Sequence, residues 1–277
     1  MASLPTALPY GMRDCKVYPY TDTLGTTLAA TGYDLPYMQT FSFTDTEEFT
    51  DLRGDDDLVA THGQGAQVKW SLEAGGIDLT LWSIFTGGQI VETGTTPNRV
   101  VTLRKCSDDA RPYFYIAGQI ISDTGGDIVA RVYRCKANGD INGQFSDAQF
   151  FVTNCDGIGL PVPGSRLLYD IVQNETVSVI GTTGEAVPIM PPKGVAVYNI
   201  AATTASAQWL AVGGATGYVV EKAVSPYSTW TSAGADPTTN SISISGLTTA
   251  TAYKIRVKTK TAAGTGAAGN PVAFTTL

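Results

Sequence analysis

Residues 247–261 read Leu-Thr-Thr-Ala-Thr-Ala-Tyr-Lys-Ile-Arg-Val-Lys-Thr-Lys-Thr. From Tyr253 the chain alternates cleanly: Tyr253, Ile255, Val257 and Thr259 share one face of an extended strand, and Lys254, Arg256, Lys258 and Lys260 share the other. One face is therefore core and the other wet. Working outward, further strand-like runs recur at short intervals: Gly194 to Ile200, Ser206 to Val212, Gly217 to Val224, Ser241 to Ser245 and Pro271 to Thr276. Each is bounded by Gly, Thr, Asp or Asn, and Pro191-Pro192 ahead of them cannot extend a central strand. Short, evenly spaced strands of this kind indicate an antiparallel sandwich.

Leu247, followed six residues later by Tyr253, resembles the tyrosine corner of fibronectin type III domains, in which the phenol bonds back to nearby backbone. Trp209 stands where that family buries its early-strand tryptophan. The resemblance covers nearly all of residues 191–277. It departs from the family's Leu-x-Pro-x-Thr-x-Tyr in placing Thr249 at the proline position, which loosens the corner without changing the fold it implies.

At 277 residues the chain is long enough for two domains with real cores, and two are expected, 1–190 and 191–277. No apolar run reaches the roughly 20 residues that span a bilayer. The N-terminus, with early prolines and no basic start, does not read as a signal peptide, so the chain is expected to stay where it is made or to leave by lysis. Cys15, Cys106, Cys135 and Cys155 form no CxxC pair and read as reduced, mostly buried thiols with neither disulfide nor metal.

Charge divides the two halves. Residues 1–190 carry 12 Lys and Arg against 23 Asp and Glu, leaving −11, while residues 191–277 carry 6 against 2, leaving +4. The two domains thus face different surroundings. So acidic a first domain lacks the clustered cations that grip phosphate, although DNA could slide past it.

The first domain also reads as mostly β. Candidate strands are Asp14 to Tyr20, Met38 to Thr44, Ala66 to Leu72, Arg99 to Lys105, Tyr113 to Ile121, Ile128 to Arg134, Gln149 to Val152 and Val177 to Ile180. One helix interrupts them: Asp78 caps Leu79 to Thr86, Gly87-Gly88 stops it, and Leu79, Trp82, Ile84 and Phe85 are available for burial. A sandwich with one flanking helix follows. Between the second and third strands, Thr44 to Gly65 holds Asp45, Glu47, Glu48, Asp51, Asp55, Asp56 and Asp57 against Arg53, and is expected to be a loop too polar to fold alone.

A second resemblance is spread over this domain. Gly-Met-Arg-Asp at Gly11 to Asp14, the long acidic segment, Val68 to Gly88 with its Leu-Glu-Ala-Gly-Gly-Ile-Asp-Leu centre, and a closing strand pair over Asp170 to Pro188 look like the major tail tube protein of long-tailed, non-contractile bacteriophages. Such proteins often carry an immunoglobulin-like or fibronectin-like domain at the C-terminus. The resemblance implies hexameric rings whose sheets join edge to edge and stack into a tube. It also implies tape-measure, tail-tip and tail-terminator partners, passage of viral DNA through an acidic lumen, no cofactor, and a place in the virion tail after synthesis in the bacterial host cytoplasm. Residues 44–65, with the acids named above, and the N-terminal arm Met1 to Gly11 are expected to order when the next ring docks.

Other readings compete. The acidic segment could be a solvated loop, or Asp55-Asp56-Asp57 could chelate Ca²⁺, although no EF-hand spacing is present. Lys254, Arg256, Lys258 and Lys260 offer a stripe for weak contact with anionic host surfaces, or merely the wet face of a strand. The tip Ala262 to Gly269 offers only Ala, Gly and one Thr to a ligand. Catalysis is not expected, because His62 is the only histidine and the acids are not placed around a cleft. The alternative to a tube is a virion-attached or extracellular adhesin or carbohydrate-binding protein made of two β-sandwiches.

Overall fold

The computed structural model describes residues 6–54, 57–181 and 187–277. It is all-β with one helix and divides into two compact units, Met1–Val162 with Leu167–Ala186, and Pro163–Arg166 with Val187–Leu277.

The first unit contains β1 (Pro9–Pro19), β2 (Tyr33–Asp34), β3 (Met38–Gly54), β4 (Asp57–Gly75), α1 (Leu79–Thr86), β5 (Gln89–Thr93), β6 (Val100–Arg104), β7 (Phe114–Ser122), β8 (Asp127–Asn142), β9 (Val152–Gly159) and β10 (Tyr169–Asn174). Eight of these strands form one sheet in the order β2-β1-β7-β8-β9-β4-β3, with β10 also on β8, and β5 and β6 form a separate hairpin. The sheet curls. A Cβ added at Gly118 of β7 would lie 2.6 Å from the Phe41 ring of β3, although three strands separate the two in the sheet order.

Inside the curl, Cys15, Val17, Val68, Trp70, Leu72, Phe114, Ile116 and Val132 make the core, closed by Leu81, Ile84 and Phe85 of α1. Phe114 receives two edge-on rings, Trp70 at 5.4 Å and Phe85 at 5.3 Å. The residues one step along the same strands face outward, where Tyr18, Tyr115 and Tyr133 stack at 5.0 and 5.2 Å between centroids and are fully buried. Residues 175–181 cover this ladder: Gly181 O accepts from the Tyr18 hydroxyl, and Ile180 is buried.

Helix α1 starts and stops as its sequence predicts. The Asp78 carboxylate accepts from Thr80 N (2.8 Å) and Leu81 N (3.2 Å), and Gly87 ends the helix at φ 79°. Its core face takes Leu81 where Leu79 was expected, and Trp82 is half-buried with its indole N–H on Thr153 Oγ1 at 3.0 Å.

Two expected strands are absent. Val177 to Ile180 pairs with no strand, because side chains already satisfy its backbone: Ser178 N donates to the Asp127 carboxylate at 2.6 Å and Ser178 O accepts from Gln119 Nε2 at 2.9 Å. The closing strand pair of Asp170 to Pro188 therefore reduces to β10 alone, with residues 182–186 outside the described residues. Gln149 to Val152 is not a strand either, since Ala148 turns the chain at φ 60° and pairing begins at Val152. The β5–β6 hairpin extends the expected Arg99-to-Lys105 strand with a partner the sequence reading missed.

The second unit contains β11 (Ala196–Tyr198), β12 (Ala205–Gln208), β13 (Gly217–Val224), β14 (Thr231–Ser232), β15 (Ser241–Ile244), β16 (Ala252–Thr261), β17 (Gly264–Ala268) and β18 (Val272–Thr275). Sheet β11-β12-β15 faces sheet β14-β13-β16-β17, with β18 also on β16. Between them Trp209, Tyr218, Val220, Ile244, Leu247, Tyr253, Ile255 and Val257 are buried. The predicted alternation holds along β16, whose Lys and Arg residues are half-exposed. The supposed tip Ala262 to Gly269 is instead mostly strand, paired back onto Lys258 to Thr261 as β17.

Candidate assembly surface

The acidic segment is not a loop. β3 and β4 pair from Met38↔Ala74 to Gly54↔Asp57, whereas β4 pairs with β9 only from Val68 to Gly75. Beyond the pair Asp45↔Val68, the two strands hold only each other and project as a ribbon of about 30 Å. Acids alternate there with Thr, Phe, Leu and Val, which suit a pleated backbone, and cross-strand pairing satisfies the amides that a loop would leave to water.

Asp45, Glu47, Glu48 and Asp51 lie exposed on β3 and Asp57 opens β4, while Asp55 and Asp56 lie outside the described residues. Asp45 accepts from the Tyr169 hydroxyl at 3.2 Å, and burial together with this carboxylate raises the phenol. Arg53 reaches Asp51 only at 3.9 Å. His62 stands opposite Thr50 and is exposed.

The sequence reading passed over the apolar side chains of this ribbon. Phe49 is 62%, Leu52 62%, Leu58 55% and Val59 63% exposed. A lone two-stranded ribbon is marginal in water, and four large apolar groups left wet on one invite a partner. Period-two alternation could not have found them, because Phe49 and Leu52 are three residues apart and lie on opposite faces of β3.

The expected N-terminal arm is tied down over its described part. Leu8 N donates to Ser122 Oγ at 3.0 Å, Leu8 O accepts from Asp123 N at 3.0 Å, and β1 begins at Pro9; residues 1–5 lie outside the described residues.

At the opposite end of the β3–β4 pair lies an apolar pocket of about 140 Å³ beside α1, lined chiefly by Leu35, Tyr37, Ile77, Leu81, Trp82 and Phe85. Aromatic rings surround it. Phe151 stands 6.3 Å from Trp82, Phe145 stands 5.0 Å from Phe151, and Phe145 and Phe150 are exposed.

In the second unit the fold markers stand where expected. The Tyr253 hydroxyl accepts from Thr248 N at 2.9 Å, and Leu247 and Trp209 are buried. The basic stripe is internally answered: Arg256 and Lys258 converge on Glu221 at 2.6 and 2.8 Å, and Lys260 meets Asp236 at 3.0 Å. Lys254 stands over the Tyr227 ring at 4.3 Å and Arg256 over the Trp230 ring at 4.2 Å. Burial would raise the Glu221 carboxyl, but Lys258 and Arg256 outweigh it and hold it below the usual range.

The four thiols are free, and Cys15, Cys135 and Cys155 are buried with burial pushing each upward, Cys155 to about 12. Cys106 and Asp108, both exposed, and the half-buried Asp109 have the spacing of metal ligands, but Asp109 already accepts from Cys106 N at 2.7 Å and meets Lys105 at 3.7 Å.

Residues 190–275 match the model of the fibronectin type III domain, and with the paired sheets and buried tyrosine corner they constitute one. Among solved structures, a titin module from human cardiac muscle is similar at 34% identity and TM-score 0.29, covering 32% of this chain and 92% of its own. The sixth fibronectin type III domain of human fibronectin type III domain containing protein 3 is similar at 27% identity and TM-score 0.30, covering 35% and 92%. Titin kinase with its flanking domains is similar at 26% identity and TM-score 0.30, and the chain spans only 17% of that structure's length. No curated protein matches the chain.

Proposed function

We propose that the chain is a structural virion protein whose N-terminal unit self-assembles into stacked hexameric rings, forming the tail tube of a long-tailed phage. In this reading the fibronectin type III domain is an external decoration. The observation that carries the reading is the β3–β4 ribbon, which leaves Phe49, Leu52, Leu58 and Val59 in water on a projection that a monomer has no use for. The open edges of the main sheet, β2 on one side and β3 on the other, add to it, because edge-to-edge joining in a closed ring removes unpaired edges.

Tape-measure, tail-tip and tail-terminator proteins are the partners this reading assigns, and viral DNA passes through an acidic lumen that repels its backbone. No cofactor and no catalysis belong to it. Contact of the C-terminal domain with a host surface is weak and depends on many copies, since Arg256, Lys258 and Lys260 already have acidic partners.

Negative-stain electron microscopy of the full chain across a concentration series, with sedimentation alongside, tests the reading. Hollow tubes or six-fold rings are expected. A monomer at every concentration would remove the tube and leave the adhesin. Deleting residues 191–277 should leave the tubes intact; their loss would make the C-terminal domain structural.

A further inference from the structure

The β3–β4 pair carries complementary features at its two ends. At one end the ribbon presents Phe49, Leu52, Leu58 and Val59 to water. At the other, where Met38 pairs with Ala74, lies the 140 Å³ apolar pocket beside α1. A cavity on the order of 150 Å³ takes a benzene-sized group. One leucyl or phenyl side chain would therefore fill it.

The tip cannot reach its own pocket. β3 has 17 residues, and at about 3.3 Å per residue the two ends stand roughly 55 Å apart along a continuous strand. Only a second copy can bring them together. The one charged residue lining the pocket, Asp78, already holds the α1 amides with its carboxylate, so charge favours that occupant only through the neighbouring hairpin: the ribbon carries Asp45, Glu47, Glu48, Asp51 and Asp57 against Arg53. The β5–β6 hairpin packed on α1 carries Arg99, Arg104 and Lys105 against Glu92. Arg99 is answered by Glu92 and Lys105 by Asp109, while Arg104 is exposed without an ion pair among the described residues.

We infer that the ribbon tip of one copy docks in the α1 pocket of the next, head to tail, inserting an apolar side chain of the Leu52–Leu58–Val59 group between Tyr37, Ile77 and Trp82. Because donor and acceptor surfaces differ, the contact is heterologous: it propagates head to tail, as a ring where the rotation closes and along an axis where it does not, instead of closing on a pair. The inference rests on the self-assembly reading above and gives it a polarity.

Disulfide trapping tests it. In a Cys106→Ser background the remaining native thiols are buried, so Leu58→Cys with Ile77→Cys supplies the only exposed pair among the described residues. Mild oxidation of the full-length protein should give a ladder of covalent multimers for the double variant and none for either single variant. Val59→Cys with Tyr37→Cys repeats the test should the first pair disturb folding.

Tubes seen by microscopy without a ladder in either pair would overturn the docking while leaving the tube. Dimers from Leu58→Cys alone would also overturn it, in favour of tip-to-tip pairing. A ladder without tubes would keep the docking and overturn the tube. A monomer with no ladder would overturn both.

Discussion

Strand β16 of the fibronectin type III unit and strand β3 of the N-terminal unit are both long strands, and they end in opposite states. β16 has neighbours over most of its length, β13 along one side and β17 and β18 along the other, and its apolar face packs against Ala205, Ala207 and Ile244 of the facing sheet, so Tyr253, Ile255 and Val257 are buried. β3 has one neighbour, β4, and over its second half β4 has no other partner either, so Phe49 and Leu52 are wet. Alternation in a sequence identifies a strand. Whether its apolar side chains are covered within the chain depends on whether a second layer packs over them. The second unit thus covers its long apolar strand by itself, whereas the first leaves Phe49, Leu52, Leu58 and Val59 in water.

Core truncations should break the comparison most visibly. Trp209→Ala in the second unit and Phe114→Ala in the first should each cost about 3–5 kcal/mol. Calorimetry should show each substitution lowering one unfolding transition and sparing the other; a joint shift would mean the units do not fold independently. Trp209→Phe should cost far less than Trp209→Ala, because the indole N–H has no hydrogen-bond partner among the described residues.

The Asp127 clasp comes next. This buried carboxylate accepts from Asn174 Nδ2 at 2.6 Å, Ser178 N at 2.6 Å and Ser178 Oγ at 2.8 Å, as well as from Gln119. Asp127→Ala leaves these donors without their acceptor and should cost about 1–3 kcal/mol or somewhat more, read as a lower midpoint in urea for the first unit. Burial alone would raise the Asp127 carboxyl, but the Asn174, Ser178 and Gln119 hydrogen bonds prevail and lower it. A depressed folded pKa adds stability that is present above the unfolded value of about 4 and is lost as pH falls through the folded value. The first unit should therefore weaken below about pH 4, and Asp127→Asn should flatten that part of its stability profile.

Tyr253→Phe should cost about 1 kcal/mol, by removing the acceptor of Thr248 N while leaving the ring in place, and the change should appear only in the second unit's melting. The smallest effect sharpens the contrast. Val59→Ser, an apolar loss on the ribbon, should leave the monomer's stability within about 0.5 kcal/mol, because the side chain is exposed already. The same variant should weaken assembly. A clear loss of monomer stability would show that the ribbon packs within its own chain.

The second unit was legible in the sequence because each of its signals is local. The alternation from Tyr253 to Lys260, the Leu247-to-Tyr253 spacing and the turn residues between short runs all lie within a few residues of what they specify. The short β14 was missed there, and so was β17, a Gly- and Ala-rich stretch whose strand character is conferred by pairing with β16. Helix α1 was equally local, since Asp78 and Gly87 mark its ends directly.

The first unit was legible as β but not as a surface. The acids of residues 44–65 suggested a loop because composition weighs charge and overlooks the backbone pairing that a facing strand supplies. Val177 to Ile180 looked like a strand until Asp127 and Gln119, more than 50 residues away, took its hydrogen bonds. The sequence alone therefore determined the β class of both units, the sandwich of the second, the ends of the helix and the division of charge, because periodicity, caps and composition act over short range. Only the tertiary structure decided that the acidic segment is a ribbon, that Phe49, Leu52, Leu58 and Val59 on it are left wet, and that an apolar pocket lies at its far end. Those facts depend on which distant strands pair and where the pairing stops.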